Sequence, residues 1–284
     1  MQRRQNNNWL TTKSLLQALL ILMLALAWFC PAMAAPKADL WPRWQKNQTT
    51  SRQIIDHSRW AAILGKYLNV HHTSGINRFR YGAVSGKDRQ ILEDYLADLQ
   101  KITVTGLNPD EQKAYWINLY NALTVDVILD HYPVQSIMDI DISPGFFSQG
   151  PWDAKLLFIE GEKLSLNDIE HRILRPVFRD NRVHYALNCA SLGCPNLQSR
   201  PFTAANTEQL LNKGGREYIN HPRGVDVSDG LRVSSIYKWF KSDFGGSESG
   251  VIDHLLLFAR DDLGKKLKSG KKKLSYAYNW DLNE

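Results

Sequence analysis

The stretch NPDEQKAYWINLYNALTVDVILDHY, residues 108–132, predicts one long helix and decides the fold class. Asn108 can cap the helix, Pro109 suits its first position, and Glu111 stands where a capping box places an acidic residue. The proline that follows the stretch ends the helix, because the residue before a proline disfavours helical backbone. Apolar residues occupy most sides of the segment, which is typical of a buried helix. We therefore predict a buried central helix near 109–131.

Shorter helices and short strands are predicted before and after this helix in the sequence. The spacing of apolar residues and the positions of turn residues predict helices near 52–68, 87–100, 204–220, 236–241 and 250–262. A short helix should follow Ser165 and end at Pro176. Strands are expected near 156–159, 183–187 and 274–278, with a hairpin over 224–234. These patterns predict an α+β fold: a single, mainly helical domain with a small sheet and a buried central helix.

The N-terminal segment has the layout of a secretory signal peptide. Basic residues precede an apolar run over 15–29, and Ala32-Met33-Ala34 provides a small-x-small cleavage site. The run is about 15 residues long, short of the ~20 that span a bilayer. We therefore expect a signal peptide over 1–34, a single domain over 35–284, and no stable membrane span after cleavage. The mature protein should be periplasmic or secreted, from a bacterial source.

The net charge of the chain and the motifs that its sequence lacks limit the kinds of partner and cofactor to be expected. The chain has a formal net charge of +6, and three of its basic residues precede Ala35, so the mature chain carries +3. Such a small excess argues against a nucleic-acid partner. The sequence contains no glycine-rich phosphate loop, zincin helix or nucleophile elbow, so no cofactor is predicted. The expected partner is an unknown small molecule, a peptide or a component of the cell envelope.

The stretch HYALNCASLGCP, residues 184–195, allows three interpretations. A disulfide between Cys189 and Cys194 suits an oxidising compartment, and it would remove only about 2 kcal/mol of unfolded-state entropy, so it would mainly shape a turn. Alternatively, Cys189 is a nucleophile and His184 its base, which requires the chain to turn after Leu187, since strand residues five apart face opposite ways. A zinc site is disfavoured, because the cysteine spacing is wide and no second close pair follows.

Several blocks resemble one family. AYWINLYNAL, LSLNDIEHRILRP, RVHYALNCASLGCPNL, VSSIYKWFKSDFG and YNWDLN are similar to blocks of the domain of unknown function 547 family, over about 88–283. The resemblance does not point to any particular activity, because none is established for the family in general. Its characteristic positions correspond here to Asn118, Tyr120, Asn121, Glu170, Arg175, His184, Asn188, Cys189, Ser191, Cys194, Pro195, Trp280 and Asn283. We interpret Glu170 and Arg175 as an ion pair in the short helix, and the aromatic residues Trp239, Tyr276, Tyr278 and Trp280 as core and rim packing.

Polar residues converge on the 184–195 loop, which we expect to line the principal concave site. The candidate binding residues are Asn118, Tyr120, Asn121, Asn188 and Ser191, and the candidate catalytic pair is His184 with Cys189. No metal ligands are predicted. Two functions follow from these residues. The favoured one is a non-catalytic, exported binding protein whose cysteines form a disulfide. The alternative is a thiol-dependent hydrolase or acyltransferase of the papain or transglutaminase type.

Overall fold

A computed structural model of the protein describes residues 36–145, 149–269 and 273–284. The predicted signal peptide lies outside the described residues. Residues Pro36–Glu284 form one compact unit. The expectation of a mainly helical α+β domain is confirmed, because about half of the structure is helical and its sheets have only two or three strands.

The described residues contain eight α-helices and seven short strands. The helices are α1 Ser58–Tyr67, α2 Gly86–Gln100, α3 Pro109–His131, α4 Arg175–Phe178, α5 Thr207–Ile219, α6 Ile236–Trp239, α7 Glu248–Leu256 and α8 Asp261–Ser269. The strands are β1 Leu68–Asn69, β2 Arg78–Phe79, β3 Leu157–Ile159, β4 Glu162–Leu164, β5 Val225–Asp226, β6 Arg232–Ser234 and β7 Ser275–Ala277. The pairs β1–β2, β3–β4 and β5–β6 are antiparallel, and β7 joins β6 in parallel.

Helix α3 is the buried centre of the fold, as its sequence predicts. The side chain of Asn108 caps it by accepting a hydrogen bond from the backbone N–H of Glu111 at 3.0 Å. The capping box is not completed, since the Glu111 carboxylate instead accepts from the backbone N–H groups of Ile55 (2.8 Å) and Ala204 (3.4 Å). Helices α2 and α5 pack against α3, and Trp116 at its middle is 0% exposed.

The apolar side chains form two clusters. The larger one surrounds α3, and the smaller one joins α5 to the β5–β6–β7 sheet and helices α6, α7 and α8. Tyr185 packs in the smaller cluster, whereas Ala186 and Leu187 pack in the larger one. The chain therefore crosses from one cluster to the other where the cysteine loop begins, and the candidate site lies at this junction.

Two local predictions near the site are wrong. The segment predicted as a strand over 183–187 begins instead in a 3₁₀-helix, Asn181–Tyr185. The helix expected to end at Pro176 continues to Phe178: a π-helix, Asp168–Leu174, runs into α4. Pro176 is tolerated because it occupies the first turn of α4, where a missing N–H costs little. A π-helix is rare in proteins and occurs frequently at functional sites.

Smaller departures affect the element ends. The helix expected near 52–68 begins only at Ser58, and the one expected near 250–262 is divided into α7 and α8. The hairpin around Ser228, the strand near 156–159 and the last strand near 274–278 are confirmed.

Candidate functional site

Asn121 of α3 fixes the start of the cysteine loop. Its amide nitrogen donates to the carbonyl of Ala186 at 2.9 Å, and its amide oxygen accepts from the backbone N–H of Asn188 at 2.9 Å. The side chain of Asn188 in turn donates to the Pro195 carbonyl (2.8 Å) and accepts from the N–H of Ala190 (2.9 Å). Ala190 is thereby held at a positive φ of 58°, a backbone conformation unusual outside glycine. Asn121 is therefore a support for the loop.

The C-terminal segment covers the other side of the loop. The backbone N–H of Leu192 donates to Asp281, and that of Gly193 donates to Asn279, both at 2.8 Å. A Cβ at Gly193 would lie 2.8 Å from the Asn279 carbonyl oxygen, so only glycine allows the two backbones to come this close. Asn283 donates to the Asn188 side chain at 3.2 Å. The loop is thus held between α3 and the end of the chain.

Cys189 and Cys194 lie at disulfide-bonding distance, as the short spacing predicts. Their Cα atoms are 6.2 Å apart, inside the range of about 4.4–6.8 Å found for disulfides. The hydroxyl of Tyr278 lies 3.2 Å from the sulfur of Cys189 and 3.1 Å from that of Cys194. Ser191 donates to the same hydroxyl at 3.1 Å. Tyr278 therefore links the loop to the aromatic residues near the C-terminus.

His184 does not pair with Cys189. Its Nε2 atom lies 2.8 Å from a carboxylate oxygen of Asp243, and its Nδ1 atom faces Glu170 at 3.6 Å. The ring stacks on Phe240 with 4.3 Å between centroids. Burial alone would lower the pKa of His184, but the hydrogen bonds and charges of Asp243 and Glu170 outweigh it and raise that pKa above its usual value. Both ring nitrogens face carboxylates and neither faces the Cys189 sulfur, so the predicted thiol–base pair is not formed.

The π-helix places Glu170 and His171 near His184, and the first residue of α4, Arg175, contacts the same carboxylate as His184. Arg175 makes a two-pronged ion pair with Asp243, at 2.6 Å and 3.0 Å, and its Nη1 lies 3.1 Å from the ring of His171. The predicted pairing of Arg175 with Glu170 is therefore wrong: Arg175 binds a residue 68 positions away, and Glu170 faces the two histidines instead.

These buried carboxylates are ionised. Burial raises the pKa of Glu170, but the charges of the histidines and Arg175, with a hydrogen bond from His184, hold it down to about 2. Burial likewise opposes ionisation of Asp243, and the hydrogen bonds from His184 and Arg175 lower the pKa of that carboxyl well below its usual range. Burial lowers the pKa of His171 to about 4. At neutral pH the carboxylates of Glu170 and Asp243 therefore face Arg175 and the ring of His184, whose pKa they raise.

Tyr120 connects this charged network to a group of aromatic rings. Its buried hydroxyl interacts with Glu170 and with Trp152, and burial raises its pKa well above the usual value. Trp152 packs against Trp280 with centroids 5.8 Å apart. The residues Trp152, Trp239, Tyr278 and Trp280 form what we call the aromatic cluster; its other ring contacts span 4.7–5.6 Å. All four residues are partly exposed and pack against one of the two apolar clusters, in agreement with the core and rim packing expected for Trp239, Tyr278 and Trp280.

Asn118 does not reach the cysteine loop. Its amide exchanges two hydrogen bonds with the backbone of Phe202, at 2.7 Å and 2.9 Å, and also donates to His57 at 3.2 Å. It therefore fixes the segment that leads into α5. Asn118 and Asn121 make the internal hydrogen bonds predicted for them, but they hold two different segments.

A cavity on the described surface adjoins the loop. It measures about 210 Å³ and is lined by Gly193, Pro222, Arg223, Arg232, Val233, Ala277, Tyr278 and Asn279. Another cavity, of about 450 Å³, lies along α5 and is lined by Gln209, Asn212, Lys213, Arg216 and Glu217. Within residues 184–195, only Gly193 lines the nearer cavity, so the loop forms one wall of it rather than its whole surface.

Sequence reasoning did not select Asp243, Phe240, Trp152 or Arg223. Asp243 and Phe240 lie in the block VSSIYKWFKSDFG, which resembles a block of the family. That resemblance is the signal from which both residues could have been selected. Among the described residues, no group of three or more His, Cys, Asp or Glu side chains is placed to hold a metal ion. No helix in the described ranges is long and apolar enough to cross a membrane.

Comparison with known proteins gives one match. Residues 104–219 match the family model described as "Protein of unknown function, DUF547". The match includes α3, the π-helix, His184 and both cysteines, and it ends before Asp243 and three of the four rings of the aromatic cluster. No curated protein and no solved structure matches the chain.

Proposed function

We propose that this chain, which belongs to the DUF547 family, is an exported, periplasmic protein. We propose further that it binds a sugar-containing component of the cell envelope and catalyses no reaction. The ligand would lie on the aromatic cluster beside the cysteine loop. The observation that carries the proposal is the aromatic cluster, in which the rings of Trp152, Trp239 and Tyr278 pack around Trp280 and all four residues are partly exposed. Aromatic residues combine a large apolar face with a polar handle, which suits them to binding surfaces.

Binding is favoured over catalysis by the surroundings of His184 and Cys189. A thiol nucleophile needs a thiolate and a base within hydrogen-bond reach. Both ring nitrogens of His184 face carboxylates, and the Cys189 sulfur lies at bonding distance from Cys194. The pair therefore lacks both requirements. A disulfide at this position also agrees with a protein that folds in an oxidising compartment.

The balance of charge favours a neutral ligand over an ionic one. Glu170 faces the ring of His184, and Asp243 contacts both that ring and Arg175, so the charged groups of the network already have partners and leave no free charge for an ion. The Glu170 side chain is 11% exposed and can accept a hydrogen bond from a hydroxyl group. The indole N–H groups of Trp239 and Trp280 can only donate. Flat apolar faces with a few donors and acceptors fit a sugar ring, which has apolar C–H faces and peripheral hydroxyls.

The test is a titration of the mature protein with chitotetraose and maltotetraose, followed by isothermal calorimetry and tryptophan fluorescence. We expect saturable binding of at least one of these glycans. Trp280→Ala should weaken it about tenfold or more, because truncation of a central aromatic contact costs at least ~1.4 kcal/mol. The matched control is Phe158→Ala, which truncates a 57%-exposed ring on β3 and should leave the affinity unchanged. Equal affinities for the two variants, or no heat and no fluorescence change with either glycan, would contradict the proposal.

A further inference from the structure

Arg223 differs from Lys113 and Arg175 in the partners that the described part of the chain gives to its charge. Lys113 pairs with Asp180 at 2.6 Å, and Arg175 pairs with Asp243 at 2.6 Å. Within the described residues, no carboxylate lies within ion-pair distance of the Arg223 guanidinium. Its terminal nitrogens donate to two neutral oxygens, the Leu192 carbonyl (3.3 Å) and the Asn196 side chain (2.6 Å).

The guanidinium also keeps unused donors. It carries five N–H groups, and only two of them donate in these hydrogen bonds. The Nε–H is buried and has no partner among the described groups. The group lies over the Tyr218 ring at 5.4 Å, which adds a favourable contact but no counter-charge. Burial lowers the pKa of Arg223, and the charge of Glu217 offsets this effect only in part.

Arg223 lines the cavity of about 210 Å³ beside the cysteine loop. Arg232 lines it too, but Arg232 already contacts the carboxylate of Asp226 in an ion pair. The cavity therefore carries one uncompensated positive charge. Asn196 holds the Arg223 guanidinium in place, since the same Asn196 oxygen also accepts from the backbone N–H of Asn77 at 3.0 Å. A cation held by neutral partners beside an open volume is arranged to receive an anion.

We propose that this cavity binds the carboxylate group of a ligand, with Arg223 as its counter-ion. A single negative charge balances the single free positive charge, whereas a phosphate dianion would leave an excess negative charge next to the Asp226 carboxylate. The planar guanidinium and the planar carboxylate match in geometry, and hydrogen bonds between charged partners are stronger than neutral ones. The inference goes beyond the sugar-binding proposal and holds whether or not the aromatic cluster binds a glycan.

The carboxylate can belong to a free small acid or to the C-terminus of a peptide. The experiment therefore uses three probes on the mature protein: acetate, the dipeptide Ala-Ala and inorganic phosphate, each titrated at constant ionic strength. Amide chemical shifts around Gly193, Arg223 and Asn279 measure binding. Acetate binding as tight as that of Ala-Ala would identify a site for small acids, and tighter binding of Ala-Ala would identify a site for peptide ends.

Arg223→Gln should weaken binding of the carboxylate probe about tenfold or more, because it removes a charged hydrogen-bonding partner. Arg216→Gln, the same change at the α5 cavity, is the matched control and should leave the affinity unchanged. If Arg223→Gln does not fold, Arg223→Lys keeps the charge without the planar fork and should also bind several-fold more weakly. Binding that survives the Arg223 change, that prefers phosphate, or that is absent from the unaltered protein would overturn the proposal.

Discussion

Asp243 is the residue whose change best tests the charged network. Its carboxylate accepts hydrogen bonds from His184 (2.8 Å) and twice from Arg175 (2.6 Å and 3.0 Å). Asp243→Asn keeps the size of the side chain but leaves two buried cations without their shared counter-ion. Removing one partner of a buried ion pair costs roughly 3–5 kcal/mol. Because the Asp243 side chain is itself 19% exposed, we expect the lower end, about 3 kcal/mol.

The assay is urea unfolding at pH 7, followed by circular dichroism. With a slope of about 2–3 kcal/mol per molar urea, the midpoint should fall by roughly 1 M. The control is Asp98→Asn, which also removes a carboxylate that accepts from two cations, Arg59 and Lys101. The Asp98 side chain is 53% exposed, and exposed pairs contribute only about 0–1 kcal/mol. Equal, small losses in the two variants would refute the reasoning.

Asp243→Asn should also change how the free energy of unfolding depends on pH. The folded-state pKa of His184 is raised above its unfolded value, so its charged form contributes stability that is fully present below about pH 6.5. That contribution is lost as the pH rises through the folded-state pKa. In Asp243→Asn the neighbouring negative charge is gone, so the loss of stability on raising the pH should shrink. An unchanged slope would show that Asp243 does not hold the proton on His184.

Three further predictions concern the loop, the core and export. Gly193→Ala should separate the cysteine loop from the C-terminal segment, because its Cβ would meet the Asn279 carbonyl at 2.8 Å; faster amide exchange at Leu192 would report this, and unchanged exchange would contradict it. His57 has its pKa lowered to about 4 by burial, so folding should lose up to ~3 kcal/mol between pH 6.5 and 4; His57→Gln should flatten that part of the stability curve in urea titrations. Intact mass spectrometry of protein from the native host should find Ala35 as the first residue, and retention of residues 1–34 would refute export by cleavage.

The local signals explain why part of the fold was predictable. Helix α3 carries its own cap, its own first-turn proline and an apolar surface on nearly every side, so residues 108–132 predict it without the rest of the chain. The β5–β6 hairpin likewise depends on turn residues next to each other in sequence. The cysteines are five positions apart, which limits them to one loop in any fold.

The parts that could not be predicted depend on residues distant in sequence. The strand expected at His184 is a 3₁₀-helix because the ring packs on Phe240 and pairs with Asp243, both more than fifty positions later. Apolar spacing alone cannot distinguish such a buried turn from a buried strand. The rule that predicts a helix end at Pro176 considers only the local backbone, whereas Pro176 lies in the first turn of the next helix, α4. The sequence predicts core and rim packing for Trp239, Tyr278 and Trp280, but it does not reveal that these residues meet one another and Trp152 where all four are partly exposed.

His184 is bound to two carboxylates and does not act as the base for the thiol of Cys189. Nitrogen-15 NMR of the His184 ring, recorded across the pH range of folded protein, tests it directly. We predict that both ring nitrogens stay protonated to a midpoint above 6.5, the ordinary value for histidine, since Asp243 and Glu170 raise the pKa of the ring. A midpoint below that value, with a neutral ring at pH 7, would contradict the account and make His184 available as a base.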